Sequence, residues 1–338
     1  MQALTNKETF AMAQAVVPEV RRKPVLKQEI AFLLIHLMPL GAIWTGATFF
    51  DWMVCIFLYV FRMFWVTAGY HRYFAHRSYS TSRWFQFVIA FMAQTTAQKG
   101  ALWWAAHHRH HHRHSDTPAD PHSMKIYGFW YSHVGWIVGP DFKETDYKVI
   151  GDYAKYPELV WLNKHYLVPP TILAIAVTAL GAWVNGGSPL LMFTSAGLST
   201  LFIGFFLSTV ILYHGTFSIN SIMHKFGTQR YESNDESRNS IWLALLTLGE
   251  GWHNNHHYYE VAARQGFFWW EIDITYYILK GLQSVGLIWD LKGVPKHILH
   301  SKNKKHAAEL RKQYEAQNPR PPVSKEIKPK PAEETIEA

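Results

Sequence analysis

Four apolar runs dictate most of what this 338-residue chain can become. Residues 31–50, 52–70, 167–185 and 190–213 each approach the ~20 residues that a helix needs to cross a bilayer. Asp51 is the only charge between the first two, and NGGSP joins the second two, so each pair is expected to close as a tight hairpin. Neither hairpin tip carries Lys or Arg, whereas the flanking polar segments do. This bias puts both tips outside and both termini, with the middle region, on the cytoplasmic side. The expectation is an all-α, multi-pass integral membrane protein with four transmembrane helices in two hairpins.

The rest of the chain fits that frame. A charge of +8 could signal nucleic acid, but the basic residues sit at the ends and in loops around apolar segments, so none is expected. Cys55 stands alone inside an apolar run, which excludes disulfides, cysteine-ligated zinc and iron–sulfur clusters. Residues 1–30 carry Arg21, Arg22, Lys23 and Lys27 and read as a cytoplasmic tail rather than a signal peptide. Residues 31–300 form the main domain, and 301–338, charged and proline-rich, read as a largely disordered tail. Residues 84–98 predict a short apolar helix at the interface or under the core. Trp103, Trp104, Trp130 and Trp136 fit either headgroup anchoring or plain packing. Arg62, an intramembrane charge, is either functional or simply turned toward protein.

Histidines carry the chemistry. His108, His111 and His112 have HxxHH spacing, and on a helix residues three and four apart share a face. The alternatives are a solvated basic run, or a shifted register through His107, His110 and His111. His71 and His76 follow the second apolar run, His224 follows the fourth, and His253, His256 and His257 repeat HxxHH. Several imidazole clusters on one membrane face suit transition metals, and their number points to two ions. There is no HExxH, so the base of a zinc protease is missing. Carboxylates are scarce in the clusters, and imidazole alone does not choose between zinc, copper and iron.

GYHRYFAHRSY, HHRHHHRHSDTPADPH and GEGWHNNHH resemble the three histidine boxes of the membrane fatty acyl desaturases. SHVGW at 132–136 and NSIMH at 220–224 are similar to landmarks of the stearoyl-CoA (Δ9) branch, and the resemblance runs from about residue 31 to 295. It implies a cytoplasmic helical cap holding a di-iron centre above the four helices. It also implies His71, His76, His108, His111, His112, His224, His253, His256 and His257 as ligands, with Asn220 holding a water on one iron. His107, His110 and His114 are then extras. Glu250, Asp116 and Asp120 are candidates to fix the ligand tautomers.

By the same resemblance the activity is oxygen-dependent desaturation, acting on a long saturated acyl chain and leaving a cis double bond at Δ9. Two Fe²⁺, dioxygen as co-substrate and a separate electron donor (a ferredoxin, a rubredoxin-like protein or a cytochrome b5-type system) are implied. An alkyl chain has no polar handle, so position must be set by a shaped dry tunnel. Trp104 is expected in its wall, with Tyr59 and Met63 at its inner end, where bulky Met63 predicts palmitoyl over stearoyl chains. Two departures bear on the carrier: Ala106-His107 stands where acyl-CoA enzymes carry Arg-Asp, and Pro140-Asp141 where they carry basic residues. An acyl-lipid substrate is therefore open beside acyl-CoA. Two other readings are a related membrane di-iron hydroxylase and a non-enzymatic metal carrier. The NSIMH and SHVGW landmarks argue against the first, and clusters outside the spans argue against the second.

Overall fold

The computed structural model describes residues 26–139, 144–301 and Ala316, with side chains from residue 30 onward. Most of the two expected tails, and Pro140 and Asp141, lie outside the described residues. The chain forms two compact units, Met1–Gly293 and Val294–Ala338. The second unit contains the short helix Lys296–Leu299.

Among the described residues the first unit is mostly helical, with one two-stranded ladder, β1 (Ser80–Thr81) against β2 (Ile288–Trp289), and two isolated bridges, Thr228 to Asn239 and Asn239 to Trp252. Helix α1 (Leu26–Leu37) continues through a tight turn at Met38–Gly41 into Ala42–Thr45. Among the described residues three helices are long and apolar enough to cross a membrane: α2 (Phe49–Ala75), α6 (Val168–Gly186) and α7 (Ser195–His224). The expected first span instead forms the shorter apolar helix Ile30–Thr45, broken where Pro39 enters the chain. Between these lie α3 (Arg83–Gln94), α4 (Ala101–His114) and α5 (Pro157–Lys164), and after them α8 (Ile241–Leu246), α9 (His253–Tyr258) and α10 (Ile274–Ser284).

Local chemistry sets these boundaries. Thr48 and Asp51 form a capping box at the start of α2, with Thr48 N donating to Asp51 Oδ2 at 2.7 Å. Prolines open α6, and Gly187, at φ 77°, closes it in the left-handed conformation. The two turns then meet: buried Asp51 also accepts from Asn185 Nδ2 at 3.2 Å and from Thr200 Oγ1. Asp51 is thus the cap and clasp of both tips rather than a loop charge. Close approach of α6 and α7 needs Gly181, where a Cβ would lie 2.0 Å from Thr200 Oγ1.

The outward faces of α2 and α6 show Trp52, Ile56, Phe57, Ile172, Ile175 and Trp183 to the surroundings, a surface that matches lipid and not water. Arg62, on the inner face of α2, is fully buried. Its guanidinium donates to Thr209 Oγ1 at 2.8 Å, Ser208 Oγ at 2.5 Å and the carbonyls of Leu58, Thr95 and Phe205. It faces protein and ties α2 to α7. Helix α3 forms where the apolar stretch at 84–98 predicts, burying Phe85, Ile89 and Ala93 in the main core.

Candidate metal centre

The last ten residues of α2, Val66–Ala75, are wound as a π-helix, with His76 N bonded to His71 O at 3.1 Å. Such a wide turn brings residues five apart onto one face. That is why an HxxxxH spacing works here: the two rings lie 4.8 Å apart. On α4, His108 and His112 are one α-turn apart, and the same holds for His253 and His257 on α9.

Two separate groups result. His71, His76, His108, His112 and His256 form the first; His111, His224, His253 and His257 form the second, with ligand atoms in each group all within 4.8 Å of one another. Each HxxHH segment gives its outer pair to one group and its middle histidine to the other. His108 and His112 join the first and His111 the second, while His253 and His257 join the second and His256 the first. His107, His110 and His114 stay outside both; His107 Nδ1 reaches Trp103 O and His110 Nε2 reaches Ala119 O.

The donor set fits a metal. In the first group Nε2 atoms face one another: His71–His256 3.0 Å, His256–His112 3.0 Å, His112–His108 3.0 Å and His108–His76 2.9 Å. A neutral imidazole has one N–H, so a ring of facing nitrogens cannot be satisfied by hydrogen bonds alone. Nitrogens about 2.1 Å from a shared ion and at right angles to each other would lie about 3.0 Å apart. In the second group His224 Nε2 and His253 Nε2 are 3.1 Å apart, and buried His257 Nε2 has no hydrogen-bond partner.

A layer of carboxylates surrounds the rings. Glu250 Oε2 lies 2.5 Å from His71 Nδ1, Asp120 3.0 Å from His111 Nδ1, Asp116 3.1 Å from His224 Nδ1, Asp235 2.5 Å from His257 Nδ1 and Glu260 3.0 Å from His112 Nδ1. Each fixes its imidazole's tautomer and leaves Nε2 for a metal. Burial, with neighbouring histidines adding to it, pushes His76, His108, His112, His253 and His256 well below the ordinary imidazole range. Burial likewise takes His257 down to about 4, against the pull of Asp235. That direction favours the neutral ring a ligand must be, whereas at His111 burial is outweighed by the Asp120 carboxylate and the ring is shifted upward. Burial alone would raise the carboxylates, but His224, His111, His257 and the His71–Arg72 pair outweigh it and hold Asp116, Asp120, Asp235 and Glu250 below their usual range.

Glu250, Asp116 and Asp120 occupy the tautomer-fixing places expected for them, whereas Asp235, Glu260 and a further buried histidine, His122, escape sequence reasoning. Asp235 sits in the polar loop ESNDES, and nothing local marks it. Glu260 follows His256 by four residues, a helical spacing, yet it serves His112 on another helix. His122 forms another close set with His111 and Asp120.

A cavity of about 710 Å³ reaches this centre. It is walled by Phe32, Ile35, Trp103, Trp136, Tyr213 and Phe217 and touches His108, His122 and Asn220. A smaller cavity of about 40 Å³ shares Trp104, His108, Thr216 and Asn220 with it. This second space touches both groups, at His71 and His108 and at His253, and ends on Met63 and Val66. Trp104 is stacked between Tyr70 and His108, at 5.5 and 4.8 Å. Tyr59 stands beside Met63 with its hydroxyl donated to Leu246 O at 2.6 Å, and it does not itself line either space. Trp103, Trp104 and Trp136 pack around the cavity, and only Trp130 of the four singled-out tryptophans is exposed.

The profile of the fatty acid desaturase family matches residues 22–284. An sn-2 palmitoyl-lipid 9-desaturase of Nostoc sp. is 34% identical over 81% of this chain and 93% of its own length. An sn-1 stearoyl-lipid 9-desaturase of Synechocystis sp. is 36% identical over 80% of this chain and 81% of its own. An acyl-CoA 5-desaturase of Anemone leveillei is 32% identical over 78% of each. With histidine groups that could hold metal beside an apolar cavity, and this span of similarity, the chain belongs to the fatty acid desaturase family and is an acyl desaturase.

Proposed function

We propose that the chain introduces a cis double bond at Δ9 of saturated acyl chains carried by membrane lipids, with one iron at each histidine group. The observation that carries this reading is the apolar cavity beside a smaller space, with four lining residues in common, that touches both groups at once. His71, His76, His108, His112 and His256 would hold one iron, and His111, His224, His253 and His257 the other, with Asn220 placing a water on one of them. Iron bound there would supply dioxygen activation, so that two methylene hydrogens, two donor electrons and two protons leave with the oxygen as two waters.

The protein's own part is placement and exclusion. An alkyl chain offers nothing to hydrogen-bond, so selectivity rests on shape, and the cavity's aromatic walls keep water from the reacting carbons. The Trp104 stack would form the wall common to the two spaces, and Met63 the floor. With Met63 fully buried and Tyr59 behind it, the floor would favour palmitoyl-length over stearoyl-length chains. Support for a lipid carrier comes from the names of the Nostoc and Synechocystis relatives and from Ala106-His107 in place of an Arg-Asp pair, while the Anemone relative is named for acyl-CoA. Electrons would come from a separate carrier protein, a ferredoxin, a rubredoxin-like protein or a cytochrome b5-type system. The protein would sit in the membrane with α2, α6, α7 and the broken α1 segment as four spans and the metal cap on the cytoplasmic side. The Nostoc, Synechocystis and Anemone relatives are named for desaturation and not for oxygen insertion.

The test is the fatty-acid profile of a host lacking the activity, expressing either this chain or His111→Ala. A new cis-Δ9 monoene, mainly C16, found in the lipid fraction and absent with the variant is the expected result. A hydroxylated product would overturn the desaturation reading.

A further inference from the structure

A lipid-bound acyl chain poses a problem of topology. Its methyl end is free, but its glycerol end joins a second chain that stays in the bilayer, so a wall that parts toward the lipid lets the reacting chain enter without leaving the membrane. The cavity wall joins buried side chains such as Trp103 and Trp136 to an exposed, mainly polar rim at Glu144, Tyr147, Lys164 and Tyr166. A lipid tail needs an apolar way in, and the apolar helix in that wall with no buried side chain among the described residues is α1. It lines the cavity with Ala31, Phe32 and Ile35, yet no residue from 30 to 50 is buried.

The seam between α1 and α7 is held by few groups. Phe32 stacks on Tyr213 and Phe217 at 6.3 and 6.4 Å. Beside them His36 Nε2 meets His214 Nε2 at 3.1 Å, and His214 is exposed. The hydrogen-bond direction follows from one acceptor. Phe32 O lies 2.7 Å from His36 Nδ1 and can only accept, so His36 donates from Nδ1 and accepts at Nε2. His214 then donates from Nε2 and accepts at Nδ1 from His133 Nε2, 3.0 Å away. His133 Nδ1 ends the line at Ser221 Oγ, 2.9 Å away and next in sequence to Asn220. Because His214 spends both nitrogens on its neighbours, this is a latch in series and not a third metal cluster. The far part of the α1 segment is pinned, since Gly41 sits so near Phe202 that a Cβ would lie 2.5 Å from its ring. Among the described residues the ring contacts of this seam are Phe32 on Tyr213 and Phe217 and His36 beside Tyr213 and His214, with one hydrogen bond between side chains; next to a pinned pivot, α1 can part from Tyr213 and Phe217 while these two stay in the core.

We propose that the α1–α7 seam, latched by His36 and His214, is the portal through which the acyl chain of an intact membrane lipid enters the cavity from the bilayer. The inference rests on the acyl-lipid reading above. It is tested with His36→Cys/His214→Cys bridged by a photocleavable bis-maleimide; the single native cysteine, Cys55, is buried. Phe32→Cys/Tyr213→Cys gives the same test if the first pair does not assemble. Activity is measured in membranes of the expression host, with its soluble fraction as electron source. Deuterated palmitate is supplied either within the membrane lipids or as palmitoyl-CoA.

The expected result is at least a tenfold loss of lipid-borne product on bridging, reversed by light. A bridged enzyme that keeps its lipid-borne rate overturns the portal and leaves the acyl-lipid reading standing. Product from palmitoyl-CoA alone in the unbridged enzyme overturns the acyl-lipid reading, and the portal with it.

Discussion

The two histidine groups share α4 and α9 yet are supported differently. The carboxylates behind the second group are fixed by loop backbone: Asp120 accepts from the amides of Asp116 and His122, Asp116 from that of Glu236, and Asp235 from that of Ser237. Behind the first group, Glu250 is held by the buried Arg72, which also pairs with Asp273 at 2.9 Å, while Glu260 is 49% exposed. One group thus leans on local loops, the other on a buried ion-pair chain and a surface residue. Equal-looking ligands need not be equally robust.

The largest effect is expected where the first group meets the ion-pair chain. Glu250→Ala removes the partner of His71 and strands Arg72 in a buried site. Activity should fall ~100-fold, and breaking the buried pair should cost ~3–5 kcal/mol of stability in thermal or denaturant unfolding. Wild-type unfolding in this variant would mean that Asp273 alone satisfies Arg72. Next comes Asp235→Asn, which keeps the shape but removes the charge beside His257 Nδ1; metal affinity of the second group should drop ~10–100-fold, read by competition with a chelator. A drop confined to the first group would break the partition described here.

The asymmetry is sharpest at Glu260. Its half-exposed carboxylate can be replaced by water, so Glu260→Gln is expected to lower turnover by less than ~10-fold, well short of Asp235→Asn. An equal loss would show that exposure does not discount this contact. The mildest change is in product identity: Met63→Ala deepens the floor of the small cavity and should shift the product from C16 toward C18, read by chromatography of the fatty acids. An unchanged ratio would remove Met63 from the selectivity account.

Legibility follows the range of the interactions. HxxHH is a local spacing on a helix, so the sequence shows which histidines can share a face, while the register through His108 and not His107 comes from the family resemblance. The sequence does not show their division between two groups, because His256 joins His71 only when α9 folds against α2. The α2 apolar run is visible, whereas the π-wound end that makes HxxxxH productive leaves no sequence mark. Asp116 and Asp120 lie beside the second box and stand out; Asp235 reaches His257 across 22 residues and does not. The first apolar run has the right length for a span, but Pro39 and the turn at Met38–Gly41 break it.

The central claim is that nine histidines in two groups hold two ions. The direct test is metal analysis of the purified chain beside Asp235→Asn and Glu250→Ala. Two irons per chain in the parent, with each variant losing iron from a different group as resolved by Mössbauer spectroscopy, is the predicted result. One metal per chain, or zinc in place of iron, would contradict that claim.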